Sequence, residues 1–139
     1  MKRNRIILLI IVAILSTESS FSQEQEVRKK LVGSWIYSRL EYDGQISSAD
    51  KLELDKAAKM NKDLILTFEG DGSYLIWNKQ TGKKDVYASG KIKLTNKGRH
   101  LIIEGLEGDI DTLNNELLML SYPDRPKMVF IKYIVPNKN

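Results

Sequence analysis

The sequence predicts an all-β fold: an eight-stranded antiparallel up-and-down β-barrel with one short helix between the first two strands. Three observations carry this. From Leu64 onward, strand-forming runs alternate with turn signals, a new run starting every 7–13 residues, close to the spacing of about 8–12 residues seen in all-β sandwiches and barrels. The turns are short, so consecutive strands pair antiparallel as a meander. Several runs are apolar on both faces, which suits a barrel or two packed layers better than an open sheet with one wet face.

The first strand is read over Ser34–Tyr42, rich in aromatic and β-favouring residues such as Trp35, Ile36, Tyr37 and Tyr42. Ser48–Met60 breaks the pattern and reads as a helix: Ser47 or Ser48 can cap it, Asp50 and Glu53 sit near its positive end, and Asp55 and Lys59 are spaced four apart. Its apolar stripe is only Leu54, Ala57 and Ala58. Such a helix packs lightly over a barrel mouth, as a gate or a simple plug, and the narrow stripe favours the plug.

The remaining seven strands follow in order. Leu64–Phe68 is a compact apolar run, and Ser73–Asn78 comes after the Asp71-Gly72 turn. Val86–Leu94 follows Thr81-Gly82, Arg99–Glu104 follows Thr95-Asn96-Lys97-Gly98, and Asp109–Leu113 follows Gly105 and Gly108. Glu116–Tyr122 follows two asparagines, and Lys127–Val135 follows Pro123-Asp124-Arg125-Pro126. By strand parity Leu64, Leu66 and Phe68 share a face, as do Tyr74 and Ile76, and as do Met128, Phe130, Lys132 and Ile134.

The chain opens with an export signal. Lys2, Arg3 and Arg5 precede a ten-residue apolar run, Ile6–Leu15, and small residues Ser20 and Ser22 precede a cut before Gln23. The run is too short to span a bilayer, which takes about 20 apolar residues. Residues 1–22 are therefore read as a signal peptide and 23–139 as one domain, with Gln23–Lys30 a short leader or a single helical turn against the barrel end. With no cysteine, neither disulfides nor a lipid attachment point exist in the sequence. The expected product is exported, periplasmic or extracellular, soluble, not lipid-anchored, and without a membrane span after cleavage. Its residues 23–139 carry nineteen basic and seventeen acidic side chains, net +2, too small an excess to argue for nucleic acid.

Gly33-Ser34-Trp35 at the head of the first strand resembles the Gly-x-Trp signature of lipocalins. Its flanks, Lys30-Leu31-Val32 and Ile36-Tyr37, resemble the opening of bacterial secreted lipocalin-like domains, as do Leu66-Thr67-Phe68 with Asp71-Gly72-Ser73-Tyr74, Gly90-Lys91-Ile92, and Leu118-Met119-Leu120. The resemblance covers about residues 28–135 and implies a calycin-type barrel able to hold a small molecule. It also departs from the family. Animal-type lipocalins stack an arginine from near the last strand on the motif tryptophan and add a C-terminal helix, whereas the last strand here offers Lys132. Fatty-acid-binding relatives have ten strands and two helices, against eight and one read here. In physical terms, Trp35 plugs the floor with one rigid ring, and Gly33 lets the backbone pass close beneath it.

No catalytic set is visible. His100 is the sole histidine and reads as a rim residue, no cysteine nucleophile exists, and no serine lies in a Gly-x-Ser-x-Gly elbow. Glu107, Asp109 and Asp111 alternate along one strand and read as a solvated face, not a calcium loop. Neither a cofactor nor a metal is expected. The expected function is an exported binding protein holding a small hydrophobic or amphipathic molecule in or at the mouth of the barrel. Its candidate ligand contacts are Tyr37, Phe68, Tyr74, Ile76, Tyr87 and Phe130, with Gly33 and Trp35 structural. The alternative is a protein-interaction or inhibitor module of the cell envelope with a side-chain-filled barrel, using Gln23–Lys30, Lys79–Asp85 and Ser121–Lys127 to meet an envelope protein partner.

Overall fold

A computed structural model describes residues 20–136. These residues form one antiparallel sheet of nine strands that curls into a nearly closed barrel, with two helices at its ends. In chain order the elements are α1 (residues 20–31), β1 (Gly33–Glu41), α2 (Ser48–Asn61), β2 (Leu64–Phe68), β3 (Ser73–Asn78) and β4 (Gly82–Lys91). They continue as β5 (Lys93–Thr95), a 3-10 turn (Asn96–Gly98), β6 (His100–Ile103), β7 (Leu106–Leu113), β8 (Leu117–Ser121) and β9 (Lys127–Tyr133). The signal-peptide reading falls mostly on residues 1–19, outside those described. No described helix is long and apolar enough to cross a membrane.

The sheet order is β4-β3-β2-β1-β9-β8-β7-β6-β5. Every sequential neighbour from β1 to β4 and from β5 to β9 pairs as a meander, and β1 pairs with β9 to bring the two halves together. The open seam lies between β4 and β5. It corrects the strand count from eight to nine: the single strand read over Val86–Leu94 is two edge strands that part at Ile92, where pairing with β3 ends (Ile92 N–H to Gly72 O, 2.9 Å) and pairing of Lys93 with β6 begins. Lysine-rich β4 suits an edge, because charged side chains discourage pairing with foreign strands.

The helix count is also corrected, from one to two. The stretch read as a leader or single turn is a helix of about three turns, α1, braced by Glu24–Arg28 and Glu26–Lys30 ion pairs one turn apart. It crosses the barrel floor. A Cβ on Gly72 would lie 3.4 Å from Arg28 at one side, and a Cβ on Gly98 only 2.9 Å from Val27 at the other. Leu31, in the last turn, is fully buried. The second helix, α2, starts where the Ser47 hydroxyl accepts the Asp50 N–H (3.1 Å). None of its residues is fully buried, and only Ala58 packs against the core.

Inward positions fill the floor and middle of the barrel with Leu31, Trp35, Tyr37, Phe68, Leu101 and Leu118, all nearly inaccessible. The outer wall is apolar too. Register lines up Val86, Trp77, Ile65, Ile36, Ile131 and Leu117 as one row across six strands. Trp77 lies flat enough to be buried, its Nε1 donating to Thr67 Oγ1 (3.0 Å), which also pairs with Ser34 Oγ (2.8 Å). This row explains why several strands read as apolar on both faces.

Candidate functional site

The two ends of the barrel are built differently. At the floor, α1 ends with carbonyls that lack helical partners. Trp35 Nε1 donates to Leu31 O (2.7 Å) and Lys132 Nζ donates to Val32 O (2.8 Å). Lys132 also sits over the Trp35 ring, 4.2 Å from its centroid, a cation–π contact. Burial pushes the Lys132 pKa down. Gly33 makes the stack feasible. Its φ of 119° lies in the region that favours glycine, and a Cβ there would fall 2.7 Å from Lys132 Nζ. The Gly-x-Trp motif thus closes the floor with Lys132 as its third member, and the barrel interior at this end is filled by Leu31, Trp35 and Phe68.

The mouth is hollow. A cavity of about 250 Å³ opens beneath it, walled by Leu64, Leu66, Ile76, Leu120, Met128 and Phe130, with Ile103 and Leu106 beside them. An apolar cavity of about 150 Å³ accommodates benzene, so this one takes a molecule of about ten non-hydrogen atoms. It is smaller than the usual pockets for drug-sized ligands, which start at about 300 Å³. Two polar side chains reach it, Glu104 and Tyr122.

Glycines make room for the tyrosines here. A Cβ on Gly108 would lie 2.5 Å from the Tyr122 ring, so that ring occupies the space over β7 that a side chain would otherwise fill. A Cβ on Gly90 would likewise lie 3.1 Å from the Tyr74 ring. Burial raises the phenol pKa of both, and the Glu104 carboxylate raises that of Tyr74 further. Glu104 belongs to the two-residue β6–β7 turn. Ile103 pairs with Leu106, and Glu104 and Gly105 both have positive φ (54° and 77°). A hairpin of this form prefers Asn, Asp or Gly at its first position, so glutamate there is held at a conformational cost.

Above the cavity, a groove runs between α2 and the β8–β9 loop. Tyr122 lines both spaces. The groove carries six carboxylates, Glu41, Asp43, Asp50, Glu53, Asp111 and Asp124, against Arg125 and Lys127. Lys127 bridges Asp111 (3.2 Å) and Asp43 (3.4 Å), which raises its pKa, while Arg39 and Lys56 pair with Glu41 and Glu53. The balance remains acidic, on a chain whose net charge is +4.

Of the ligand contacts expected from sequence, Ile76 and Phe130 line the cavity. Tyr37 lies behind that wall, edge-on to Phe130 (centroids 6.1 Å apart), with its hydroxyl buried and unpaired among the described residues. Burial and the neighbouring Tyr42 phenol raise its pKa. Phe68 and Tyr74 are core residues that the cavity does not reach. Tyr87, 63% exposed, points away from the site. Sequence reasoning missed Glu104 and passed over Tyr122. The signal for Glu104 was the Glu-Gly pair between two apolar strands, which places the first residue of a tight turn at a barrel rim.

On the outer wall, His100 is not isolated. Its Nδ1 lies 2.8 Å from Glu107 and its Nε2 2.9 Å from Asp109, so the solvated face read from Glu107 and Asp109 also holds the imidazole between its two carboxylates. Asp111 leaves that face at a bulge in β7 and joins Lys127 at the mouth. No group of three or more His, Cys, Asp or Glu side chains suited to a metal ion occurs among the described residues. No protein-family model, no curated protein and no solved structure matches the chain.

Proposed function

We propose that this protein is an exported, calycin-type binding protein that holds one small apolar or amphipathic molecule in the cavity at the barrel mouth. The observation that carries this reading is the cavity itself. It lies at the end opposite the Trp35 plug and is lined by aliphatic and aromatic side chains. Burying a ligand of about ten non-hydrogen atoms against such a wall gives up to roughly 1.5 kcal/mol per atom in the most favourable small-ligand cases, and less in ordinary ones. The lightly held α2 suits a ligand that enters past it, because a helix with so little buried surface moves at small cost.

The test is ligand-observed NMR with ethylbenzene as the probe, alongside native mass spectrometry of the purified protein. Wild type should bind ethylbenzene saturably, and Ile76→Trp, which fills the cavity, should abolish binding while keeping the circular dichroism of the barrel. Saturable binding that survives Ile76→Trp, or no binding by wild type together with no co-purifying small molecule, overturns the reading.

A further inference from the structure

We propose that Glu104 sets the ligand's head group: the cavity takes an apolar body that ends in a protonated amine, with the amine at the Glu104 carboxylate. This rests on the binding reading above and adds the charge of the ligand to it.

Three features of the molecule converge on this. Glu104, exposed at the edge of the cavity, is the one acidic side chain on an otherwise mostly apolar wall, and no ion-pair or hydrogen-bond partner engages its carboxylate among the described residues. A carboxylate beside an apolar cavity favours a ligand that brings its own cation, since a neutral ligand entering there removes water from the charge without replacing it. An anionic ligand adds like-charge repulsion.

Glu104 is also an unfavourable choice for the turn it occupies. The hairpin needs positive φ at that position, and Asn, Asp or Gly supplies it at less cost. What glutamate adds is reach. Its longer side chain extends from the turn to the cavity edge, and its charge is felt by the Tyr74 phenol in the core beyond the cavity.

The approach to the cavity is acidic as well. Asp50 and Asp124 in the mouth groove have no basic partner within ion-pair distance among the described residues, and the remaining carboxylates there are balanced one for one or less by Arg39, Lys56, Lys127 and Arg125. A cation diffusing toward the mouth is drawn in and an anion is turned away, an effect that salt weakens. The Tyr122 phenol stands where groove and cavity meet and offers an oxygen that can accept from an ammonium group.

Three probes of the same body and different charge decide the matter: 2-phenylethylamine, ethylbenzene and phenylacetate, each titrated by calorimetry at neutral pH. The amine should bind at least tenfold tighter than ethylbenzene, and phenylacetate weakest. Added salt should weaken the amine and leave ethylbenzene unchanged. Glu104→Gln should lower amine affinity about tenfold and leave ethylbenzene affinity as it was. Equal affinity for amine and ethylbenzene, or amine affinity unchanged in Glu104→Gln, overturns the assignment while the binding reading stands. Failure of all three probes to bind a protein that native mass spectrometry shows free of any co-purifying small molecule removes the binding reading and this assignment with it.

Discussion

Floor and mouth of the same barrel are made from the same strands and solve opposite problems. At the floor, two carbonyls where α1 runs into β1 are paired by side chains: Trp35 takes Leu31 O and Lys132 takes Val32 O, and the lysine lies on the indole face. At the mouth, α2 rests on the rim without burying a residue, a cavity of about 250 Å³ remains beneath it, and the Glu104 carboxylate lies on the wall unpaired among the described residues. The difference separates stability from recognition. The floor is where substitution should unfold the protein, and the mouth is where it should change binding at little cost to the fold.

The largest effect separating the two ends should come from Trp35→Ala. Emptying a fully buried indole site costs about 3–5 kcal/mol, a large part of the stability of a domain this size. Urea denaturation followed by circular dichroism reads it directly. A cost near that of a surface substitution would remove the floor from this account.

Lys132→Met keeps the aliphatic stem over the indole but loses the charge and the bond to Val32 O. The expected cost is about 1–2 kcal/mol, with ethylbenzene affinity unchanged. Lys132→Arg should recover most of the loss, because a guanidinium can both stack and donate. A binding defect in Lys132→Met with intact stability would mean that the two ends are not independent.

The buried tyrosines should show the contrast in pH. Tyr37, Tyr74 and Tyr122 have folded-state pKa values raised chiefly by burial. A raised folded value means stability that is fully present below the unfolded phenol value of about 10 and lost as pH rises through the folded values. Denaturation midpoints should therefore hold to about pH 9 and fall above about pH 10. Phenolate absorbance should lag in the folded protein and appear on unfolding. Ordinary titration of all six tyrosines without unfolding would contradict their placement.

The smallest stability effect, and the one of opposite sign, belongs to the mouth. Glu104→Asn makes the β6–β7 turn Asn-Gly, the pair that such a hairpin favours. It should raise stability by about 0.5–1 kcal/mol while removing the preference for an amine. Gain on one side and loss on the other would mark Glu104 as a residue kept for binding, and lost stability would mean its conformation is not strained.

The floor was far more legible in the sequence than the mouth. Gly33 and Trp35 form a contiguous motif, and their roles follow from glycine's freedom at positive φ and the bulk of an indole. Strand parity already placed Lys132 on the same face as Met128 and Phe130, and the structure adds that it caps the motif. The nine-strand count was hidden because Val86–Leu94 reads as one run, and only the change of partner from β3 to β6 at Ile92 splits it. The leader before Gly33 was read too short because its charged side chains face water, and what makes it a helix against the barrel is Val27 and Leu31 packing on one side. Aromatic content pointed to Tyr37, Phe68, Tyr74, Tyr87 and Phe130; Phe130 lines the cavity, but large rings fill space, so Tyr37, Phe68 and Tyr74 are packed core away from it and Tyr87 is exposed. The cavity sits among mostly aliphatic side chains, with Phe130 and Tyr122, brought together across β2, β3 and β6 to β9 and the loop after β8, a juxtaposition that depends on barrel closure and not on any local pattern.

The central claim is that the barrel is closed at Trp35 and occupied at the mouth. Methyl-resolved NMR during an ethylbenzene titration tests it most directly. The account predicts saturable shifts at Leu64, Ile76, Leu120 and Met128, with the methyls of Leu31 and Leu94 at the floor unmoved. Shifts centred on the floor, or on Ile36 and Ile131 of the outer row, would contradict it.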